Sequence, residues 1–381
     1  MIYPPPTTKR AYRQDCDPCV DAPCVSVVIP VHNAESFLKH CLDSILSNGA
    51  NTSPFEVIAV DDASNDGSWI ILEDYAKSCE QLRLIRFEEN RGVSAARNAG
   101  VTTARGDYVM FCDPDDAYVP GAVDYIASVV REQTPDVVLF KHAVCHGQQT
   151  PLLLKVDTSL SFFDMCQESS AVMGFRKLFG ALWTWNGAFH RRLFKSLRFN
   201  ENLWPSEDVL WGVQATCRCK TALVTDAVLY KYNQHPGSCL HRAFLSRVRS
   251  EITGIGLFAQ EAKAWPYFDQ VMDIIFHNLN FRAFIRPVAT LRRLPQKERK
   301  IAWNLLFERY PAAFKGLVPA RRRFIYELAF KTRSRFLVCT MISMPLWANC
   351  EIVGPLLASI RGGIGTIASW FWNTTPKTPR L

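Results

Sequence analysis

The sequence has no uninterrupted run of the roughly 20 apolar residues that a bilayer-spanning helix requires. Its uncharged stretch from Phe336 to Cys350 is 15 residues long and is interrupted by Pro345, so no transmembrane span is expected. An apolar N-terminal segment is also missing: Met1 to Asp15 is Pro-rich, polar and charged, which argues against a secreted protein. The 13 cysteines are therefore read as reduced thiols of a cytoplasmic protein. Cys16, Cys19 and Cys24 include a C-x2-C spacing, but a fourth ligand and a partner knuckle are lacking, so free thiols are expected there rather than zinc. There are no repeats or low-complexity tracts, and 48% hydrophobic against 21% charged residues excludes disorder for the bulk of the 381 residues.

The net charge of +8 is unevenly spread. Residues 241–381 carry +14 and the first 240 carry −6, so the chain has an acidic front and a basic back. Three segments follow: a Pro- and Cys-containing leader (1–24), a main domain (25–240) and a basic, Pro-punctuated helical region (241–381). In the last segment Arg321, Arg322, Arg323, Lys331, Arg333 and Arg335 precede Trp370, Phe371 and Trp372. That combination suits a peripheral position on an anionic membrane surface, and it equally suits a helical appendage packed on the main domain. Without a recognisable binding module, nucleic acid is not an expected partner.

Between Val25 and His142, strand-length apolar runs alternate with helical patterns, which predicts an α/β domain with a mostly parallel central sheet. The candidate strands are Val25–Pro30, Phe55–Val60, Leu82–Phe87, Tyr108–Cys112 and Val137–Phe140. Helices are expected over Phe37–Leu46, over Trp69–Cys79 and, lined with Ala and close to its sheet, over Ser94–Ala104. Ligands of open α/β sheets bind beyond the carboxyl ends of the strands, so the polar residues placed there are the ones to inspect. The first strand is followed by Val31-His32-Asn33-Ala34-Glu35 and the second by Asp61-Asp62-Ala63-Ser64-Asn65-Asp66. After the third come Glu88-Glu89-Asn90-Arg91-Gly92, and after the fourth Asp113-Pro114-Asp115-Asp116. Asp66 and Ser64 read as turn and cap residues. The Asp113–Asp116 run has more carboxylates than turn chemistry needs, and a D-x-D in that position suits Mg²⁺ or Mn²⁺ holding a diphosphate.

The ordered series VSVVIPVHNAESFLKHCLDSIL, FEVIAVDDASNDGS and ENRGVSAARNAGVTTARGDYVMFCDPDD closely resembles the catalytic domain of glycosyltransferase family 2, over Val25–Val130 and more weakly over Trp183–Ser238. The resemblance implies a GT-A, Rossmann-like nucleotide-sugar-binding domain that uses a divalent metal, Mn²⁺ or Mg²⁺. It implies that Pro30, Val31 and His32 line a base pocket, His32 standing where the family most often has Tyr, with Glu35 nearby. Asp61 would accept the uracil imide proton and Asp62 would support the loop. Asn90, Arg97 and Asn98 match the N-x-G and A-R-N pattern, Arg97 pairing either with buried carboxylates or with phosphate. Asp113 would touch ribose and, with Asp115, the metal. Downstream, Glu207-Asp208 resembles the family's E-D pair, with Asp208 as catalytic base and Glu207 shaping the site. Trp185 is either a sugar platform or core, and His235 or Ser238 would reach the diphosphate from a closing loop, His235 being equally an ordinary surface histidine.

The implied activity is inverting transfer of a hexosyl or N-acetylhexosaminyl group from a nucleotide donor, UDP being expected, to a hydroxyl of a cell-surface glycan or lipid-linked precursor. A nucleotidyltransferase is an alternative, although VHNAES has neither the Gly nor the Lys/Arg of a phosphate loop. A second alternative is a non-catalytic, membrane-associated glycan-assembly protein.

Overall fold

The structure, a computed structural model, describes residues 23–46, 54–145, 159–178, 182–204, 207–235 and 245–271, together with Gln296, Ile301 and Asn304. Ser238, Cys16 and Cys19, the leader up to residue 22 and most of the basic region lie outside the described residues. The chain divides into two compact units. One comprises Met1–Gly174, Ala181–Glu201 and Arg218–Ser238, and the other Phe175–Gly180, Asn202–Cys217 and Cys239–Leu381. Residues 202–217, expected within a main domain ending near 240, thus group with the later part of the chain.

The first unit opens with β1 (Val25–Val31), α1 (Glu35–Leu46), β2 (Phe55–Asp61), α2 (Ser68–Ser78), β3 (Leu82–Arg86), α3 (Val93–Thr103) and β4 (Tyr108–Phe111). It continues with β5 (Ala117–Tyr118), α4 (Ala122–Gln133), β6 (Val137–Cys145), β7 (Leu160–Asp164), β8 (Gly187–His190) and β9 (Thr221–Asn233), with α5 (Glu168–Leu178) and a 3-10 turn at Thr184–Asn186 between β7 and β8. The sheet runs β3-β2-β1-β4-β8-β6-β9-β5, with β7 also paired to β9.

The β3-β2-β1-β4 half is parallel, as the βαβ pattern requires. β8 enters antiparallel between β4 and β6, β6 and β9 are parallel, and the short β5 and β7 pair antiparallel with β9. β1 and β2 are buried along their whole length, which explains why they read as continuous apolar runs rather than alternating ones. Pro30 is tolerated in this central strand because pairing with β4 stops at Val28↔Phe111.

Helix α1 buries Leu38, Cys41, Leu42 and Ile45, one face at i, i+3, i+4 and i+7 spacing. Helix α3 lies closer to the sheet. Its buried face is Ala95, Ala96 and Gly100, and a Cβ on Gly100 would meet Val28 Cγ1 at 2.4 Å, so only glycine permits this approach.

In the second unit, α6 (Glu207–Arg218) buries Leu210, Trp211, Val213 and Ala215, and its Gln214 amide donates to Glu261 of α7 (Leu245–Lys263) at 3.2 Å. Phe175 stacks on Trp265 with ring centroids 4.6 Å apart. Among the described residues, no helix is long and apolar enough to cross a membrane.

Candidate active site

Parallel strands β1, β2 and β4 end side by side, and this common edge gathers the polar residues singled out in the sequence. Two loops interlock there. Asn33 in one and Ala63 in the other both take positive φ. The Asn33 N–H donates to Ser64 Oγ (3.0 Å) and the Asn65 N–H to Asn33 Oδ1 (2.9 Å). Asp66 caps both neighbouring helices, accepting from the Glu35 and Ser68 N–H groups, while Glu35 Oε2 accepts from the Gly67 N–H at 3.0 Å. Glu35, expected beside base or ribose, thus has one carboxylate oxygen committed to the loop.

Asp61, the last residue of β2, is fully buried. Its Oδ2 meets Arg86 Nε at 3.2 Å and accepts weakly from the Ser64 N–H at 3.3 Å, and the Arg86 guanidinium lies 4.7 Å over the Trp69 ring. Among the described residues its Oδ1 has no hydrogen-bond partner. Leaving a buried acceptor unmatched costs about 1–3 kcal/mol, more for a charged group, so this oxygen marks a place where a donor is missing. Asp62 has the opposite character: its two oxygens accept from the Arg91 (2.7 Å) and Gly92 (2.8 Å) N–H groups, fixing the turn into α3, where Gly92 takes φ +87°. His32 Nδ1 lies 2.8 Å from the Asp62 carbonyl oxygen. Because a carbonyl only accepts, Nδ1 carries the proton and Nε2 is the acceptor for Asn33 Nδ2 and Asn90 Nδ2, each at 3.2 Å. Pro30 and Val31 are buried beneath this loop pair.

Arg97, 4% exposed, donates from Nη2 to Asp113 Oδ1 at 2.9 Å. The Asn98 amide engages the 199–201 segment, bonding both the N–H and C=O of Phe199 and reaching Glu201 Oε1.

The acidic turn has a divided character. Asp113 and Asp115 side chains are 26% and 33% exposed, whereas Asp116 is 2% exposed. Asp115 Oδ2 meets His235 Nε2 at 3.0 Å, and the His235 ring packs against Phe37. Burial, and next the neighbouring Asp113 charge, push the Asp115 carboxyl above its ordinary value against the pull of His235. Burial pushes Asp116 well above its own, and the charges of Asp115 and Asp113 add to that. Among the described residues, no group of three or more His, Cys, Asp or Glu side chains is arranged to hold a metal ion. The hard oxygen donors of Asp113 and Asp115 are nevertheless the type that Mg²⁺ or Mn²⁺ takes alongside phosphate oxygens and water.

Trp185 is buried. Its ring stacks on Trp183 (6.0 Å), Tyr230 (4.9 Å) and Tyr232 (5.4 Å). Glu207 and Asp208 open α6 of the second unit, Glu207 buried and Asp208 Oδ1 accepting from the Val209 N–H at 2.7 Å. Sequence reasoning passed over Arg86; it placed Tyr230 and Asn233 in the Tyr230–Ser238 stretch that resembles the family's Y-x-Y and G-S segment, but gave neither a contact with the acidic turn. Arg86 was legible as a charged residue at the end of an apolar strand. The contacts of the other two with the turn run across more than 100 residues of sequence, which the Y-x-Y resemblance alone does not reveal.

Residues 26–195 match the family model described as glycosyl transferase family 2. Over that segment the chain is similar to the glycosyl transferase family 2 proteins. It is 32% identical over 222 residues to the uncharacterized glycosyltransferase EpsJ of Bacillus subtilis, covering 57% of this chain and 62% of that protein. It is 32% identical over 211 residues to the poly(ribitol-phosphate) beta-glucosyltransferase of Bacillus spizizenii, covering 55% of this chain and 32% of that one. The chain therefore spans less than two thirds of either relative. The crystal structure of Staphylococcus aureus TarS 1-349 in complex with UDP-GlcNAc superposes with a TM-score of 0.66 at 21% identity, over 84% of this chain and 90% of that one. At that identity the likeness is one of fold, and it is the GT-A fold expected from the sequence.

Proposed function

We propose that the protein is an inverting glycosyltransferase that moves a hexosyl or N-acetylhexosaminyl group from UDP to a hydroxyl of a cell-wall glycan or its lipid-linked precursor. The observation that carries this reading is the unmatched Asp61 Oδ1, a buried acceptor at the carboxyl edge of a parallel sheet. The uracil imide is a donor of the required kind, and cytosine, whose ring N3 only accepts, is not. The UDP-GlcNAc complex of TarS and the beta-glucosyltransferase named for poly(ribitol-phosphate) support the donor and acceptor classes.

In this reading Asp62 holds the Asn90-Arg91-Gly92 turn beside the nucleotide, and Arg97 holds Asp113 toward it. His32 presents its ring at the base pocket, oriented by Nδ1 on the Asp62 carbonyl. Asp113 and Asp115 would hold a divalent cation, which supplies neutralisation of the departing diphosphate. The crowding of like charges in the turn supports that assignment, since a cation offsets it. Asp208 takes the proton of the acceptor hydroxyl as that oxygen attacks the anomeric carbon and the bond to diphosphate breaks. Glu207 shapes its surroundings. Ser238, outside the described residues, is proposed to contact the diphosphate. The basic region 241–381 supports a peripheral position at the cytoplasmic face of a membrane.

Purified protein incubated with a panel of UDP-sugars, a glycan acceptor and Mn²⁺ is expected to release UDP, and chelation is expected to stop release. No UDP release from any donor, together with no UDP binding by calorimetry, would overturn the reading.

A further inference from the structure

The Asp113-Pro114-Asp115-Asp116 turn is suspended from the end of β9. The Asp113 N–H donates to the Tyr230 hydroxyl oxygen at 3.1 Å, and that hydroxyl donates to Asp116 Oδ2 at 2.7 Å. Asp116 Oδ1 accepts from the Asn233 N–H at 2.7 Å, and Asn233 Nδ2 donates to the Asp115 carbonyl at 3.3 Å. One phenol oxygen thereby joins the first and last residues of the turn. It has little freedom to do otherwise: Tyr230 is fully buried, stacked on Trp185 at 4.9 Å and met edge-on by Tyr118 at 5.2 Å. The Tyr118 hydroxyl in turn donates to the Phe111 carbonyl at 2.8 Å, where β4 enters the turn. Asp116, with both oxygens taken and 2% exposed, acts as a peg, while the carboxylates of Asp113 and Asp115 on the same turn reach solvent.

We propose that Tyr230 is a positioning residue of the donor site, its hydroxyl drawing Asp116 inward so that Asp113 and Asp115 are held outward toward the diphosphate and its cation. This rests on the donor-site reading of those two carboxylates. Tyr230 touches neither donor nor acceptor. Its effect passes through the turn, and Trp185 serves the same end by clamping the Tyr230 ring.

The test is Tyr230→Phe, which keeps the stacked ring and removes the one oxygen. Binding of Mn²⁺ in the presence of UDP is read from loss of the free-Mn²⁺ signal in electron paramagnetic resonance, alongside UDP-sugar turnover and thermal unfolding. Loss of a hydrogen bond to a carboxylate, worth about 1.5–3 kcal/mol, corresponds to roughly ten- to hundredfold weaker Mn²⁺ binding. Tyr125→Phe, which removes a phenol that bonds Thr225 instead, is expected to bind Mn²⁺ as the wild type does. The combination with Asp116→Asn is expected to be non-additive, because both changes break the same link.

If wild type binds UDP and Mn²⁺ and Tyr230→Phe binds them equally well, or only unfolds at a lower temperature, the positioning role is overturned and the proposed function stands. Additive losses in the double variant overturn it as well. If wild type itself binds neither, the proposed function fails. Should Tyr230→Phe not fold, Asp116→Asn alone serves, since it keeps an acceptor for the Asn233 N–H and takes one from Tyr230. Unchanged Mn²⁺ affinity in that variant overturns the inference.

Discussion

Strand β2 carries a buried carboxylate near each end, and the two are treated in opposite ways. At the amino edge Glu56 accepts from the Ser26 hydroxyl (2.7 Å), the Arg105 N–H (2.6 Å), the Arg83 guanidinium (2.9 Å) and Arg105 Nε (3.2 Å). At the carboxyl edge Asp61 is just as buried but keeps one oxygen unmatched. A related division holds across the sheet. Asp136 is fully engaged by Arg192 and by the Lys220 and Thr221 N–H groups, whereas at the opposite edge burial and the neighbouring Asp113 charge raise the partly exposed Asp115 against the pull of its one His235 partner. Satisfied carboxylates lock loops to strands, and under-satisfied ones cost stability that a ligand recovers. The difference separates what the amino edge does for folding from what the carboxyl edge does for chemistry.

That separation can be broken most severely at the proposed chemical residues. Asp208→Asn and Asp115→Asn are each expected to lower transfer by about 10²–10⁴-fold, the range for a lost acid–base or electrostatic group, with circular dichroism unchanged. Wild-type turnover in either variant removes that residue from its role. Glu56→Ala should do the reverse. It removes the acceptor of the buried Ser26 hydroxyl, of the Arg105 N–H and of two partly exposed arginines, which costs about 1–3 kcal/mol in urea unfolding, and leaves UDP affinity per folded molecule unaltered. A loss of affinity without a loss of stability would show that the amino edge is not merely structural.

Asp61→Asn sharpens the comparison within one strand. The amide oxygen is expected to turn to Arg86, leaving its NH₂ where Oδ1 stood. A donor there opposes the uracil imide, so UDP affinity by calorimetry should fall about ten- to hundredfold, as for a lost charged hydrogen bond, and the preference for UDP over CDP should narrow. Folding stability should change by less than about 1 kcal/mol, because an unmatched acceptor is lost along with an ion pair. Destabilisation as large as that of Glu56→Ala would erase the distinction.

How much of this was legible beforehand follows from the range of each interaction. The strands β1 to β4 and the loops after them could be read directly, because βαβ periodicity is local and places strand ends on one edge. The Ala-lined face of α3 and the capping Asp66 were legible for the same reason. Strands β7 to β9 were not assigned, since their partners lie far away in sequence and the periodicity after Thr150 loosens into a mixed α+β pattern. Glu56 sits inside an apolar run and drew no attention, although its partner Arg105 is 49 residues away. Whether Trp185 was platform or core depended on Tyr230 and Tyr232, which only the assembled sheet brings against it.

Acid should tell the two ends of β2 apart with the smallest perturbation. Burial alone would push the Glu56 carboxyl up, but the Arg105 N–H, Ser26, Arg83 and the Arg105 side chain together hold it below its ordinary value of 4.5. A carboxyl with a depressed folded value contributes stability that is fully present above the unfolded value and is lost as pH falls through the folded one. The stability difference between wild type and Glu56→Gln, read from urea midpoints, should therefore be constant above about pH 5 and shrink progressively below about pH 4.5. Asp61→Asn, measured over the same series, reports whether the unmatched edge shares that dependence. A Glu56→Gln difference that stays flat down to pH 3 would mean that the four donors do not favour the ionised carboxylate. The amino edge would then owe its stability to packing rather than to satisfied charge.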